Sequence, residues 1–145
     1  MIYDGLRVAD LSTGIAGGYC SKLLTDLGAD VVKLEPPSGD PLRSGLPELF
    51  DYLHTSQRSV VTPELAPWVA PADVVIESFP PGVLESMGLM KLARVTVSIS
   101  SFGRGGPDSA LTLTEEVLQP GPARCRTTGT CTSPRSPWAA GSAST

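Results

Sequence analysis

Over residues 1 to 119, short β-rich apolar runs alternate with stretches whose apolar residues recur at helical spacing. That alternation predicts an α/β fold built on a parallel sheet. Arg7 to Leu11 reads as the first strand and leads into the turn cluster Ser12-Thr13-Gly14. Tyr19, Leu23, Leu24 and Leu27 then recur with a helix period, and Gly28 stands where a C-cap glycine belongs. Ala29 to Glu35 predicts the second strand, stopped by Pro36-Pro37, so residues 6 to 35 form one βαβ unit. Ser38 to Pro47 reads as a loop from its Gly, Pro and Ser content, and Pro47 to Leu53 as a short helix opened by proline. Three further strands are expected at Ser59 to Thr62, Asp73 to Glu77 and Val95 to Ser100, with a short helix from Pro81 to Met87 ended by Gly88. Thr112 to Gln119 predicts a last helix, Thr112 standing three residues before Glu115 as in a capping box.

The pattern stops at Pro120. Of the 26 residues from Pro120 onward, 16 are Pro, Gly, Ser or Thr and none is Val, Ile, Leu, Met, Phe or Tyr. Such a segment has too little apolar surface to offset the entropy of ordering, so residues 120–145 are expected to be a disordered tail beside an ordered region 1–119. Charge divides at the same point: residues 1–119 carry all 15 acidic groups and eight basic ones, a net −7, whereas the tail carries three arginines and no acid. An acidic body lacks the basic stripe that nucleic acid requires. No apolar run reaches the roughly 20 residues of a membrane span, and Met1 to Leu6 has no signal-peptide pattern, which places the chain in the cytoplasm without a membrane partner. Cys20, Cys125 and Cys131 are too few and too irregular for a disulfide framework or a zinc site, so no metal is expected.

Candidate chemistry is sparse. Gly14, Gly17 and Gly18 at a strand-to-helix turn, with Glu35 some twenty residues on, are arranged somewhat like a dinucleotide site, but the spacing is not G-x-G-x-x-G. A nicotinamide-dependent protein is therefore the weaker alternative, and glycines that simply permit a sharp turn the plainer one. His54, the single histidine, has no partner pattern and reads as a surface or helix residue. Cys20 reads as a small buried thiol. The glycine-rich Gly103-Arg104-Gly105-Gly106-Pro107 follows a strand and offers backbone N–H groups, as many such loops do, while the adjacent Glu115 and Glu116 point about 100° apart on a helix and cannot face each other as acid and base.

Nine segments taken in order carry more information. Gly5-Leu6-Arg7-Val8 with Asp10-Leu11-Ser12, Ala16-Gly17, Leu23 through Pro37, Gly39-Asp40-Pro41, Arg58-Ser59, Ala72 through Phe79, Pro81 through Glu85, Gly88-Leu89, and Ser98-Ile99-Ser100 with Phe102-Gly103 and Gly106-Pro107 together resemble the class III (CaiB/BaiF type) CoA-transferases. That family includes formyl-CoA transferase, carnitine CoA-transferase and 2-methylacyl-CoA racemase. The resemblance implies a Rossmann-like, mostly parallel sheet, part of the family's large domain. It also implies coenzyme A or an acyl-CoA as substrate rather than as a tightly bound cofactor. It assigns the loop Thr13, Gly14, Ile15, Ala16 and Gly17 to the adenine end of CoA, Ser78, Phe79 and Gly82 to the pantetheine side, and Arg58 to the same CoA site. Full-length relatives are interlocked homodimers, an arrangement not expected of so short a chain.

The resemblance also has gaps. The family usually has lysine where Gln57 stands, arginine where Pro80 stands and a basic group near Ser86, each available to a CoA phosphate. A histidine of the racemases falls about where Thr114 is. The transferases' nucleophilic aspartate lies roughly thirty residues beyond Gln119, and this chain has no aspartate after Asp108, so no catalytic residue is assigned. The expected function is thus the N-terminal part of a CoA-transferase, inactive alone. The alternative is a non-catalytic CoA- or nucleotide-binding module. The abrupt change after Gln119 is read as a shifted reading frame, since back-translating the tail with GC-rich codons and restoring one nucleotide just after Gln119 can give a family-like continuation.

Overall fold

The computed structural model describes residues 1–109 and Leu111. Five strands form one sheet: β1 (Arg7–Asp10), β2 (Asp30–Glu35), β3 (Arg58–Val61), β4 (Val74–Glu77) and β5 (Val95–Ser98). Their order is β3-β2-β1-β4-β5 and every pairing is parallel. This is the order of doubly wound α/β sheets, with chain direction across the sheet reversing between β1 and β4.

Parallel strands in such a sheet are covered on both faces, which explains their continuous apolar runs. Val8, Val31 and Ile76 point to one face with Ala29, where Cys20 and Leu24 of α1 (Ile15–Asp26) pack on them. Ala9, Leu11, Val32, Leu34 and Val75 point to the other, beneath α4 (Ala66–Val69), α5 (Val83–Ser86) and a 3₁₀ turn at Leu89–Lys91. The predicted strands are all present, each within two residues of its expected ends. The helix predicted over Thr112–Gln119 and the tail 120–145 lie outside the described residues. No helix among the described residues is long and apolar enough to cross a membrane.

Three expectations need correction. Ser38 to Pro47 is not all loop: α2 (Pro41–Gly45) forms there, because Asp40 accepts a bond from the Leu42 N–H at 2.8 Å and proline fills the first turn. It runs directly into α3 (Pro47–Leu53), which matches its predicted range. The helix expected from Pro81 shortens to Val83–Ser86.

The third correction concerns α1. Its end is as predicted: Gly28 takes φ 102, its N–H bonds the Thr25 carbonyl, and the Ala29 N–H bonds the Leu24 carbonyl, a Schellman motif. Its periodic apolar residues, however, do not all face the core, for Leu23 is 60% exposed and Ile15, Tyr19 and Leu27 are exposed too. The helix buries small residues instead, Gly17, Gly18 and Ser21. A Cβ on Gly17 would stand 1.8 Å from the Ser12 hydroxyl, and one on Gly18 2.9 Å from Leu53, so only glycine permits this approach.

Ile76 is fully buried, so Ile76→Ala is expected to cost about 2–5 kcal/mol, whereas Leu23→Ala should stay within about 0.5 kcal/mol of the parent. Urea denaturation of the two variants checks both values, and an equal cost at the two positions would contradict the assignment of faces.

Candidate binding site

In doubly wound sheets ligands bind at the carboxyl ends of the strands, where the order reverses. Here that point lies between β1 and β4. After β1 the chain passes through Leu11 and Ser12 to Thr13 and Gly14, and after β4 it passes to Ser78 and Phe79. The two turns meet: the Thr13 N–H donates to Ser78 Oγ at 2.9 Å, and the Ser78 hydroxyl lies 3.4 Å from the Thr13 carbonyl. Gly14 adopts φ 84, a left-handed value that favours glycine, and α1 starts at the next residue. No side chain caps that helix, so its first-turn amides and the positive end of its dipole open on the crevice.

The expected site residues divide accordingly. Thr13, Gly14, Ile15, Ala16 and Gly17 form the β1–α1 turn. Thr13, Ile15 and Ala16 are exposed, Gly14 is half-buried and Gly17 is buried against Ser12. Ser78 stands opposite, and Gly82, at φ 89, is the exposed residue before α5. Phe79 belongs to the same turn, but its ring packs against the core of the α4/α5 face and its N–H donates to Glu77 at 2.7 Å. Arg58 does not join them. It opens β3 level with Val32 and Ala9, and its guanidinium turns toward the amino edge to meet Asp30 at 2.6 Å.

Behind the crevice lies a set of buried charges that composition alone does not reveal. Lys33 on β2 is 1% exposed. Its ammonium donates to the Ser12 carbonyl and lies 3.2 Å from Asp40 and 3.7 Å from Asp10. Asp10, fully buried, accepts from the Ser12 N–H at 2.9 Å and the Ser12 hydroxyl at 2.5 Å. Glu35 accepts from both ends of the Arg43 guanidinium at 2.8 and 2.7 Å, from the Asp40 N–H at 3.1 Å and from the Ser59 hydroxyl. The Arg43 bond above all, with Ser59 and the Asp40 amide, brings its carboxyl down to about 2 against the opposing effect of burial. On the other face Arg104 reaches Glu77 at 2.9 Å and Ser98 at 2.6 Å, and also Glu85. The glycine-rich segment after β5 is thereby tied down through its one arginine.

A signal for these groups exists in the sequence: Asp10, Lys33, Glu35 and Glu77 interrupt apolar strand runs at their carboxyl ends. A charge inside a buried strand requires a partner. Two other residues depart from expectation. His54 is buried rather than on the surface, stacked on Phe50 with ring centroids 4.4 Å apart and its Nδ1 2.8 Å from Gln57 Oε1. Cys20 is only half-buried, and burial followed by the Asp10 charge pushes its thiol pKa up, so it is no ready nucleophile. Among the described residues no group of three or more His, Cys, Asp or Glu is placed to hold a metal ion.

Comparison with known proteins gives a consistent picture. The profile of CoA-transferase family III matches residues 3–143, running past Gln119, where the motif resemblance ends. Succinyl-CoA--D-citramalate CoA-transferase of Chloroflexus aurantiacus is 35% identical over an alignment that covers 72% of this chain and 32% of that protein. Succinyl-CoA:mesaconate CoA-transferase of Haloarcula hispanica is 40% identical over an alignment that covers 57% of this chain and 26% of that protein. The crystal structure of a CaiB/BaiF family protein from Brucella suis superposes with a TM-score of 0.69 at 34% identity, covering 75% of this chain and 36% of that one. A hypothetical protein of Mycobacterium tuberculosis gives a TM-score of 0.70 at 27% identity, covering 94% of this chain and 42% of that one. The chain spans about a quarter to a third of the length of the curated relatives it matches.

Glu35 makes the site's stability depend on acid. Its pKa is about 2, below the ordinary 4.5, so its contribution is complete above about pH 4.5 and is lost as the pH falls through about 2. Because Arg43 is about half exposed, solvent screening reduces the effect, and the wild-type chain should lose about 1–2 kcal/mol more than Glu35→Gln between pH 7 and pH 3. Parallel urea titrations at the two pH values measure this difference, and identical losses in the two proteins would remove Glu35 as the cause.

Proposed function

The chain belongs to CoA-transferase family III, and from that membership we propose that the crevice between β1 and β4 is a CoA-thioester site, contributed to an enzyme that moves CoA between carboxylic acids. The observation that carries the reading is the meeting of Thr13 and Ser78 over the uncapped start of α1. Two kinds of recognition are available there. The first-turn amides of α1 supply donors and a positive dipole end for a phosphate. The exposed backbone of Thr13 to Ala16 and the Ser78 hydroxyl offer polar partners for the amides of a pantetheine arm.

Electrostatics set the expected affinity. Gln57, Pro80 and Ser86 supply no positive charge, and the Gln57 amide is already engaged by His54, Ser21 and Leu53. Binding therefore rests on neutral hydrogen bonds and the helix dipole, each weaker than a charge-assisted bond. A nicotinamide dinucleotide fits less well. Glu35, the acid that would have to meet a ribose, has both oxygens occupied by Arg43, Ser59 and the Asp40 amide.

Transfer chemistry of this family needs a carboxylate that accepts the acyl group and then carries CoA as a thioester. The 145-residue chain has no aspartate after Asp108. Asp10, Asp40, Glu35 and Glu77 are committed to buried ion pairs or backbone amides. We therefore assign ligand binding to this chain and the covalent step to residues outside it.

Titration calorimetry of the 145-residue chain with CoA, acetyl-CoA and NAD tests the reading. CoA and acetyl-CoA are expected to bind with a Kd below about 1 mM, equivalent to at least about 4 kcal/mol, while NAD gives no heat and no CoA transfer is detected with succinyl or formyl donors. Tight NAD binding without CoA binding would overturn the site assignment, and measurable turnover would overturn the placement of the nucleophile.

A further inference from the structure

Lys33 is costly to bury, and an aliphatic side chain would fill the same space between α1 and the sheet without the desolvation penalty. Its ammonium is shielded from solvent, Lys33 being 1% exposed. What it does touch is one particular peptide unit. The carbonyl it bonds belongs to Ser12, and the N–H of that same peptide is the Thr13 amide that donates to Ser78 Oγ at 2.9 Å. A trans peptide is planar, with C=O and N–H pointing in opposite directions. Fixing the carbonyl toward Lys33 therefore aims the Thr13 amide at the crevice.

The neighbouring carboxylates serve the same geometry. Asp10, in register with Lys33 across the β1–β2 pair, takes the Ser12 N–H and hydroxyl, which leaves the Ser12 carbonyl to the ammonium. Asp40, anchored as the cap of α2, lies 3.2 Å from the ammonium and holds it from the other side. A cation on the carbonyl also polarises the peptide and strengthens its N–H as a donor. We propose that Lys33 is a positioning residue for the crevice: it sets the Ser12–Thr13 peptide plane and so presents the Thr13 amide to Ser78 and to an acceptor on the bound thioester. Only the ligand part of this statement rests on the CoA reading. The orientation of the peptide plane does not.

Removing Lys33 alone would strand two buried acids, so the test pairs Asp40→Asn with Lys33→Met/Asp40→Asn, the second having the same net charge in the cluster as the native protein. Asparagine can still cap α2. Hydrogen exchange at the Thr13 amide should be at least about tenfold faster in the double variant than in Asp40→Asn, and the CoA Kd at least about tenfold weaker, while exchange in β4 stays unchanged. Exchange at Thr13 within about twofold in the two proteins would overturn the proposal. If neither the wild-type chain nor Asp40→Asn binds CoA, the CoA reading fails and Thr13 exchange alone decides the role of Lys33. Should the double variant not fold, Lys33→Met/Asp10→Asn against Asp10→Asn repeats the comparison with the other acid of the cluster neutralised, an amide oxygen still being able to accept the Ser12 N–H: Thr13 exchange at least about tenfold faster in the double variant is expected, and rates within about twofold would overturn the proposal.

Discussion

A parallel sheet covered on both faces leaves its strand ends as the one place where polar side chains can leave the core, and this constraint organises the rest of the molecule. Three strands end in or near an acid at the carboxyl edge, Asp10 on β1, Glu35 on β2 and Glu77 on β4, and all three are buried. Each must be neutralised by hydrogen bonds or a cation, because an unpaired buried carboxylate would cost more than the sheet can supply. The cations come from elsewhere: Lys33 from the neighbouring strand, Arg43 from α2 and Arg104 from the loop after β5.

Pairing the acids in this way also shapes the loops. Arg43 and Asp40 belong to the segment after β2, and their bonds to Glu35 and Lys33 draw α2 against the sheet edge. Arg104 joins β4, β5 and α5 through Glu77, Ser98 and Glu85. The loops that border the crevice are thereby fixed by internal charges, and the crevice itself is left with neutral hydrogen-bonding groups. An arrangement of this kind favours recognition of a ligand by shape and backbone amides over capture by free side-chain charge.

The glycines of α1 carry a second consequence. Because Gly17 and Gly18 bring the helix close to Ser12 and Leu53, its start is held against the turn that forms the crevice, and its small residues rather than its large ones face inward. Ile15, Tyr19, Leu23 and Leu27 are left as an exposed apolar row on a chain that spans about a quarter to a third of its relatives' length.

Local sequence signals specify most of the elements. The five strands, the βαβ unit, the Schellman end of α1 at Gly28 and the placing of the two turns after β1 and β4 all follow from local periodicity, proline and glycine, which act over a few residues. The short α2 was legible in principle from Asp40-Pro41, a cap followed by a proline, within a composition that otherwise reads as loop. How charges distant in sequence meet depends on the folded chain as a whole. Lys33 faces Asp10 because β1 and β2 pair in one register, Arg43 finds Glu35 because α2 folds back, and Arg58 pairs with Asp30 at the amino edge although the resemblance assigned it to the CoA site. Helical spacing likewise showed which residues share a face of α1 but not which face is buried, since that depended on a glycine contact with Ser12 across the turn. Ion pairs and close packing are set by strand register and helix approach, and neither is encoded in any short window of the chain.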